Sequence, residues 1–494
     1  MLPAPAGLRI ALDPGARRVD GGAVLIGGTP LRVLRLSSAG AAALDALAGG
    51  APVPDGRPAV ARLVRRLLDA GIAHPRPGPP LSWPPPADVT VVVPVNGPVD
   101  ALRVALTGVG SVGETIVVDD GSSDAAGIAG AVRARGARLI RHDRARGPAA
   151  AREAGWRSAA TPVVAFVDAD CRLPPGWLDP LLAHLADPAV AAVAPRVRAG
   201  GPERVAESCL ARYDADRSPL DLGPAEAIVR PRSRVPYVPT ATLVVRRAAL
   251  VDAGGFDAGL RFGEDVDLVW RLAGRGWTVR YEPRVHVVHA VREGLRPWLR
   301  QRFDYGTSAA PLARRHGAAV APVAVSGWSA ASWGLAAAGA PAAGATLAAA
   351  TALALAPDLR GLARPVPEAL RIAGLGTAAS GRTLAGGVRR AWWPLAAAAV
   401  VPSRRARVVA ALSVAPLAAE WVRQRPALGF PRWLALRLAD DLAYGAGVWA
   451  GCARERSLAA LRPDFTGGRA RDLVPRDVGP ADRQGRAAPA GPAR

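Results

Sequence analysis

An α/β fold with a doubly wound, mainly parallel sheet is what the middle of this chain predicts, on three observations. Short β-branched runs, VTVVVPV, TIVVDD, ARLIRH, PVVAFVDAD and AVAAVAPRVR, recur between Val89 and Arg198. Helix-forming stretches such as GPAAAREAGWRSA separate most of them, and strands alternating with helices build parallel sheets. Acids close two of the runs, Asp119–Asp120 and Asp168–Asp170, and open α/β sheets bind ligands at the carboxyl ends of their strands.

The 494 residues suffice for two to four domains at roughly 100–200 residues each. Residues 1–74 read as a small α+β module. LRIALDPGARRVDGGAVLIGG gives two short strands around a Gly/Pro/Asp-rich turn. LSSAGAAALDALAGG gives a helix capped by Ser37 or Ser38 and stopped at Gly49–Gly50. AVARLVRRLLDAGIAH places Val60, Leu63, Leu67 and Leu68 on one helical face, with Gly71 at its end. The proline-dense segment 75–88 reads as a stiff linker, and 89–316 as the α/β domain.

Residues 317–357 carry no charge, over about twice the ~20 residues that cross a bilayer. Pro341 interrupts the run, so a hairpin of two spans is expected, with the arginine-bearing flanks on the cytoplasmic side. A buried Ala-rich hairpin of a soluble domain fits the same composition. In 358–462, AWWPLAAAAVVP and VVAALSVAPLAA are too short for confident spans, and SRRAR joins them. Interfacial, membrane-associated helices or a tight second hairpin are the expectation. The Arg/Pro/Gly/Asp-rich tail, 463–494, is expected to be disordered.

The formal net charge is +22, all of the basic side chains being arginine. An anionic membrane or a phosphorylated substrate would balance it. Nucleic acid is the weakest partner, since zinc-finger spacing, basic heptads and an aromatic RNA-binding signature are missing. Cys171, Cys209 and Cys452 have no paired spacing and fit a reducing compartment. The N-terminus lacks the pattern of a secretory signal.

Asp168 and Asp170 lie two apart at a strand end, so their side chains share a side. Such a pair can hold Mg²⁺ or Mn²⁺ that bridges to substrate phosphates. Downstream, Glu264, Asp265 and Asp267 cluster before an amphipathic helix bearing Leu268, Trp270, Arg271 and Leu272. The helix dipole accounts for one or two of these acids, not easily for three. His289 closes a later strand-like run and would complete an Asp/Asp/His metal set.

The ordered pieces VTVVVPVNG, ETIVVDDGSSD, RGPAAAREAG, FVDADC and FGEDVDLVWRL, from Val89 to His289, resemble the family 2 glycosyltransferases of the nucleotide-sugar-binding GT-A fold. The resemblance implies inverting sugar transfer with a divalent cation. It implies that Asp120 meets the nucleobase, Pro94 and Val95 line the base pocket, and Arg152 lies near the base or diphosphate. Asp170 would bind the metal, Asp168 the ribose or metal, Glu264 the substrate, and Asp265 would deprotonate the acceptor. PVNG departs from the family's usual aromatic next to the asparagine, which weakens any base stacking at position 96.

A narrower likeness is to the subgroup of mycofactocin systems, with a PqqD-like, winged-helix-like peptide-recognition module before the transferase and membrane-associated helices after it. LRQRFDYGTSAAPLARRHG is similar to that subgroup. It implies transfer of glucose, β-1,4-linked, from UDP-glucose to a peptide-derived redox cofactor, with biosynthetic partner proteins, at the cell membrane with the catalytic domain cytoplasmic. The alternatives are a membrane transferase acting on a lipid carrier or polysaccharide, and a non-catalytic peptide-binding scaffold. QRFDYG lacks the Q-x-x-R-W element of pore-forming polymerases, which argues against the polysaccharide reading.

Overall fold

Turn residues divide the first segment more finely than its apolar pattern suggests. This computed structural model describes residues 2–79, 81–200, 208–291 and 294–466. Where two strands were expected there are three, because Pro14–Gly15 and Gly21–Gly22 each turn the chain: β1 (Arg9–Leu12), β2 (Arg17–Val19) and β3 (Val24–Gly27). β4 (Arg32–Arg35) completes an antiparallel β2–β3–β4 sheet, and β5 (Ala73–Arg76) pairs with β1. Ser37 caps the Ser38–Ala48 helix, its Oγ accepting from the Gly40 N–H at 3.1 Å. The Pro58–Ala70 helix ends at Gly71, whose φ of 66° suits glycine. It buries Ala61, Val64, Leu67 and Leu68, with Val60 and Leu63 flanking that face.

The stiff-linker expectation for 75–88 is corrected at both ends. β5 takes Pro75 and Arg76, and Pro86–Asp88 forms a 3₁₀ turn. A buried ion pair, a buried histidine contact and a half-buried ion pair fasten the module to the central sheet. Arg65 reaches Asp187 at 2.7 Å, His74 sits between Asp13 (2.7 Å) and Arg280 (3.1 Å), and Arg76 meets Glu226 at 2.5 Å.

The central sheet is built from β6 (Val89–Val95), β7 (Glu114–Asp119), β8 (Arg138–Arg141), β9 (Val163–Val167), β10 (Cys171–Arg172), β11 (Val190–Gly200), β12 (Ala227–Val229), β13 (Thr242–Arg246) and β14 (Thr278–Ala290). Their order is β10–β14–β11–β13–β9–β6–β7–β8, with β12 also on β14. β8, β7, β6 and β9 run parallel, as the strand–helix alternation requires. The mainly parallel expectation fails beyond them. β13 starts beside the carboxyl end of β9 and runs antiparallel to it and to β11; β14 is parallel to β11 but antiparallel to β10 and β12. The sheet is therefore mixed. Apolar cores cover both of its faces, which is why β6 and β9 read as nearly unbroken apolar runs.

Position 316 is not a structural boundary. The Leu295–Thr307 helix packs on the Phe430–Arg454 helix at glycine contacts: a Cβ on Gly306 would fall 2.0 Å from the Tyr444 carbonyl oxygen, and one on Gly447 1.9 Å from that of Phe303. β15 (Ala324–Ser326) pairs in parallel with β16 (Asp464–Thr466). The expected disordered tail thus begins with a strand, and its residues 467–494 lie outside the described residues.

The uncharged run forms two helices, Gly327–Ala337 and Pro341–Leu355, joined at Gly339 (φ 96°). The first has 11 residues and rises about 16 Å at 1.5 Å each, about half of the ~30 Å hydrocarbon core. Two spans are therefore not formed; among the described residues, Pro341–Leu359 alone has the length and composition of one. Helices of this region expose large apolar side chains. Gly327–Ala337 buries Ser332 and exposes Trp328 and Trp333. Arg404–Gln424 buries Ser413 and Leu417 and exposes Val408, Leu412 and Val422.

Removing one partner of the Arg65–Asp187 pair leaves a buried carboxylate without its cation. Arg65→Met is expected to destabilise the full chain by about 3–5 kcal/mol, read from denaturant unfolding; a loss below about 1 kcal/mol would show that this interface does not hold the module.

Candidate active site

The D-x-D acids occupy the turn between β9 and β10, and the β10–β14 register sets Cys171 opposite His289. Strand pairing thus delivers His289 to acids far from it in sequence. One ligand atom from each of Asp168, Asp170 and His289 lies within 4.8 Å of the others. His289 Nε2 is 3.2 Å from Asp170 Oδ1. Its Nδ1 is 2.9 Å from the Ala290 carbonyl; a carbonyl only accepts, so Nδ1 donates there and Nε2 is the nitrogen turned toward the acids. Two carboxylates and an imidazole fit a hard or borderline divalent cation.

Arg152, on the Pro148–Arg157 helix, is buried and donates to Asp168 Oδ1 at 2.6 Å and to Glu264 Oε1 at 2.8 Å. Burial opposes its charge, but Asp168, Glu264 and Asp265 more than offset this and hold its pKa above the ordinary arginine value. Arg152 thus sits beside the metal set, engaged by carboxylates.

The Glu264–Gly274 helix starts at Gly263 (φ 80°), where a Cβ would also fall 2.9 Å from Ser308 Cβ. Its three first-turn acids divide. Glu264 and Asp265 line a cavity of about 830 Å³ together with Asp168, Asp170 and His289. Asp267 is buried away from that wall, accepting from Arg271 Nε at 2.8 Å and facing His316 Nε2 at 2.9 Å. Burial, and then the Glu264 carboxylate, push Asp265 up to about 7. A helix N-terminus favours the ionised form of a carboxylate; here burial and a like charge outweigh that field. Burial also raises Glu264, despite Arg152.

Asp120 is buried, and its carboxylate is occupied. It accepts from the Arg146 N–H (2.9 and 3.0 Å) and the Gly147 N–H (2.8 Å), and pairs with His142 Nδ1 at 2.7 Å. Asp119 holds the Ser122 N–H at 2.9 Å and meets Arg141. These two adjacent acids therefore pin two loops. Pro94, Val95 and Asp120 stand at the carboxyl ends of β6 and β7 and are not part of the cavity wall.

Sequence reasoning missed other parts of the wall, among them Tyr237, Arg261, Tyr305, Arg390 and Tyr444. Tyr305 lies in the LRQRFDYG stretch already singled out; Arg390 and Tyr444 carry no local signal, since helix packing brings them in, and Tyr237 comes from the loop between β12 and β13.

Residues 90–249 match the model of glycosyl transferase family 2. Over 478 residues the chain is 40% identical to the pre-mycofactocin glycosyltransferase of Mycobacterium tuberculosis, covering 93% of this chain and 98% of that protein. A shorter match, 28% identical over 178 residues, covers 32% of this chain and 27% of mouse polypeptide N-acetylgalactosaminyltransferase 15. Among solved structures, the mannosyltransferase PcManGT from Pyrobaculum calidifontis, in complex with GDP-Man and Mn²⁺, aligns with TM-score 0.40 and 21% identity over 76% of this chain and 90% of that one.

Proposed function

Because the chain belongs to the pre-mycofactocin glycosyltransferases, within glycosyl transferase family 2, we propose that it transfers glucose from UDP-glucose, with inversion, to form a β-1,4 linkage on the peptide-derived acceptor of mycofactocin biosynthesis. The observation that carries the reading is one cavity holding both the Asp168–Asp170–His289 set and Asp265, a carboxylate with a pKa near 7. A divalent cation, Mg²⁺ or Mn²⁺, held by that set would neutralise the leaving diphosphate. Asp265 accepts the proton of the acceptor hydroxyl as its oxygen bonds to the anomeric carbon and the bond to the diphosphate breaks. A base titrating near the working pH is suited to this step. A direct displacement of this kind inverts the anomeric centre. The nucleobase lies toward the ends of β6 and β7, where Asp120 shapes its pocket through the 142–147 loop.

The N-terminal module is assigned peptide recognition, PqqD-like, for the acceptor or for partner proteins of the pathway. β2 and β4 are the edges of its three-stranded sheet, and an extended peptide can add to such an edge. The apolar side chains exposed on the C-terminal helices, Trp328, Trp333, Val408 and Leu412 among them, support association with the cell membrane. The catalytic domain then faces the cytoplasm.

Asp265→Asn is expected to cut kcat by about 10²–10⁴-fold with donor KM little changed, whereas Asp267→Asn mainly lowers the unfolding midpoint. In the unaltered enzyme kcat/KM rises with pH through about 7, because the base works only when deprotonated; a flat profile across that range would remove Asp265 from this role. Asp170→Asn and His289→Ala should each weaken Mn²⁺ binding at least about 10-fold, followed by the loss of free-ion signal in electron paramagnetic resonance titrations. The full-length chain is expected to sediment with membranes and to need detergent for release. Recovery in the soluble fraction after lysis in low salt would reject the membrane assignment.

A further inference from the structure

We infer that residues 333–343 dip into the headgroup–acyl boundary of one leaflet of an anionic bilayer, so that the chain is seated in the membrane from one side and does not cross it. The membrane association proposed above is the premise; what is added is the segment that enters and the lipid class it selects. Residues 333–343 join the Gly327–Ala337 and Pro341–Leu355 helices and are exposed, except for the half-buried Ala336. No side chain among them carries a charge or a hydroxyl, whereas an exposed run without polar groups has no use in water. Their one polar side-chain atom, Trp333 Nε1, donates to the Thr377 carbonyl at 2.8 Å. The Ala338, Gly339 and Ala340 N–H groups donate to the carbonyls of Gly334, Ala336 and Leu335 at 2.9, 3.1 and 2.9 Å, and Pro341 has no N–H. A turn that closes its backbone groups on itself meets a requirement of lipid, not of water.

Both ends of this segment are tied to the same body. β15 precedes the Gly327–Ala337 helix and pairs with β16, which Arg232 of the β12–β13 loop holds through Asp464 at 2.6 Å. After the Pro341–Leu355 helix, Ala356, Leu359 and Leu362 pack on Val24, Ile26 and Val33 of the N-terminal module, and Asp20 accepts from the Ala363 N–H at 3.1 Å. The chain thus leaves and rejoins one body. Crossing between those anchors would take two spans of about 20 residues each, and the 11-residue first helix cannot supply one. The turn therefore enters and leaves by the same leaflet, to a depth of roughly 5–10 Å.

Charge selects the lipid. Residues 317–357 hold no charge of either sign. Downstream, Arg360, Arg364, Arg382, Arg404 and Arg405 are exposed, and among the described residues none of them is in an ion pair. Arg382 belongs to the Pro365–Arg390 helix, which packs against both helices of the uncharged run. Arg404 stands one and two helical turns before the exposed Val408 and Leu412. Unpaired guanidinium groups beside exposed apolar side chains match a surface with phosphates outermost and acyl chains beneath.

The test floats the full-length chain with sealed vesicles of phosphatidylcholine, with and without phosphatidylglycerol. The unaltered chain should bind the phosphatidylglycerol vesicles at least about 10-fold more tightly than phosphatidylcholine alone; equal binding overturns the anionic class. Leu335→Asp and Ala342→Asp, both at exposed positions, should each weaken binding at least about 10-fold with an unchanged unfolding midpoint. Unchanged binding by both variants overturns the turn as the seat, as does loss of a dimer in sedimentation in place of loss of binding. A nitroxide on Ala340→Cys, in a Cys209→Ser background because Cys171 and Cys452 are buried, should become shielded from an external nickel chelate when vesicles are added and stay unaffected by chelate trapped inside them. Persistent relaxation by the external chelate overturns insertion, and relaxation by the trapped chelate shows a crossing and overturns the one-leaflet seat. Failure of the unaltered chain to float with either vesicle would instead sink the membrane reading itself.

Discussion

The Arg152 bridge is the contact on which the site depends. It crosses from the Pro148–Arg157 helix to the end of β9 and the start of the Glu264–Gly274 helix, meeting Asp168 and Glu264 together. Without a buried cation there, Asp168, Glu264 and Asp265 would lie in one cavity with nothing to offset their repulsion, and like charges in a low-dielectric site push one another toward protonation. Arg152 meets that need for Asp168 and Glu264 directly. Asp265 feels it only as a weaker, more distant attraction, behind burial and Glu264. That unequal sharing lets neighbouring acids in one turn differ: one is a strut, the other a base titrating near neutrality.

Glycine contacts impose the second constraint. The Leu295–Thr307 and Phe430–Arg454 helices approach so closely at Gly306 and Gly447 that a methyl group on either would overlap backbone oxygen. This approach carries Tyr305 and Tyr444 to the same cavity. The buried Arg302, joined to both Asp214 and Asp440, ties the helix pair to the Cys209–Arg217 helix. Removing charged partners from such a network costs more than the network adds, so the wall is held in one arrangement rather than left to drift.

Much of the sheet half was legible in sequence because its signals are local. An apolar strand ending in D-x-D identifies itself, and the strand–helix alternation gave the parallel strands β6–β9 correctly. What failed depends on long-range pairing. Nothing near Thr242 announces that β13 enters beside β9 in the reverse direction, so the sheet reads as mainly parallel. Composition alone describes 317–357 as one run; the 11 residues of its first helix become visible only once the turn at Gly339 is formed. The raised pKa of Asp265 has the same origin. A helix N-terminus is readable in sequence, but the burial that overrides it is set by residues brought in from other elements. For Asp120, the family pattern identified the residue while the backbone N–H groups of Arg146 and Gly147 that occupy its oxygens could not be foreseen.

The cation-binding set and the tyrosine wall rest on different kinds of structure. The cation-binding set belongs to strand ends, where register places the ligand atoms; its two acids, unlike His289, fall within the stretch matched by the wider family. The tyrosine wall belongs to helices held by small-residue contacts and paired arginines, a surface that can change without disturbing the sheet. The N-terminal module touches both: Arg65 and Arg76 engage the sheet domain at Asp187 and Glu226, while Arg17 reaches Glu368 at the start of the Pro365–Arg390 helix, whose last residue is the Arg390 of the cavity wall. The module is thus anchored both to the sheet domain and to the helix that carries Arg390 to the cavity wall.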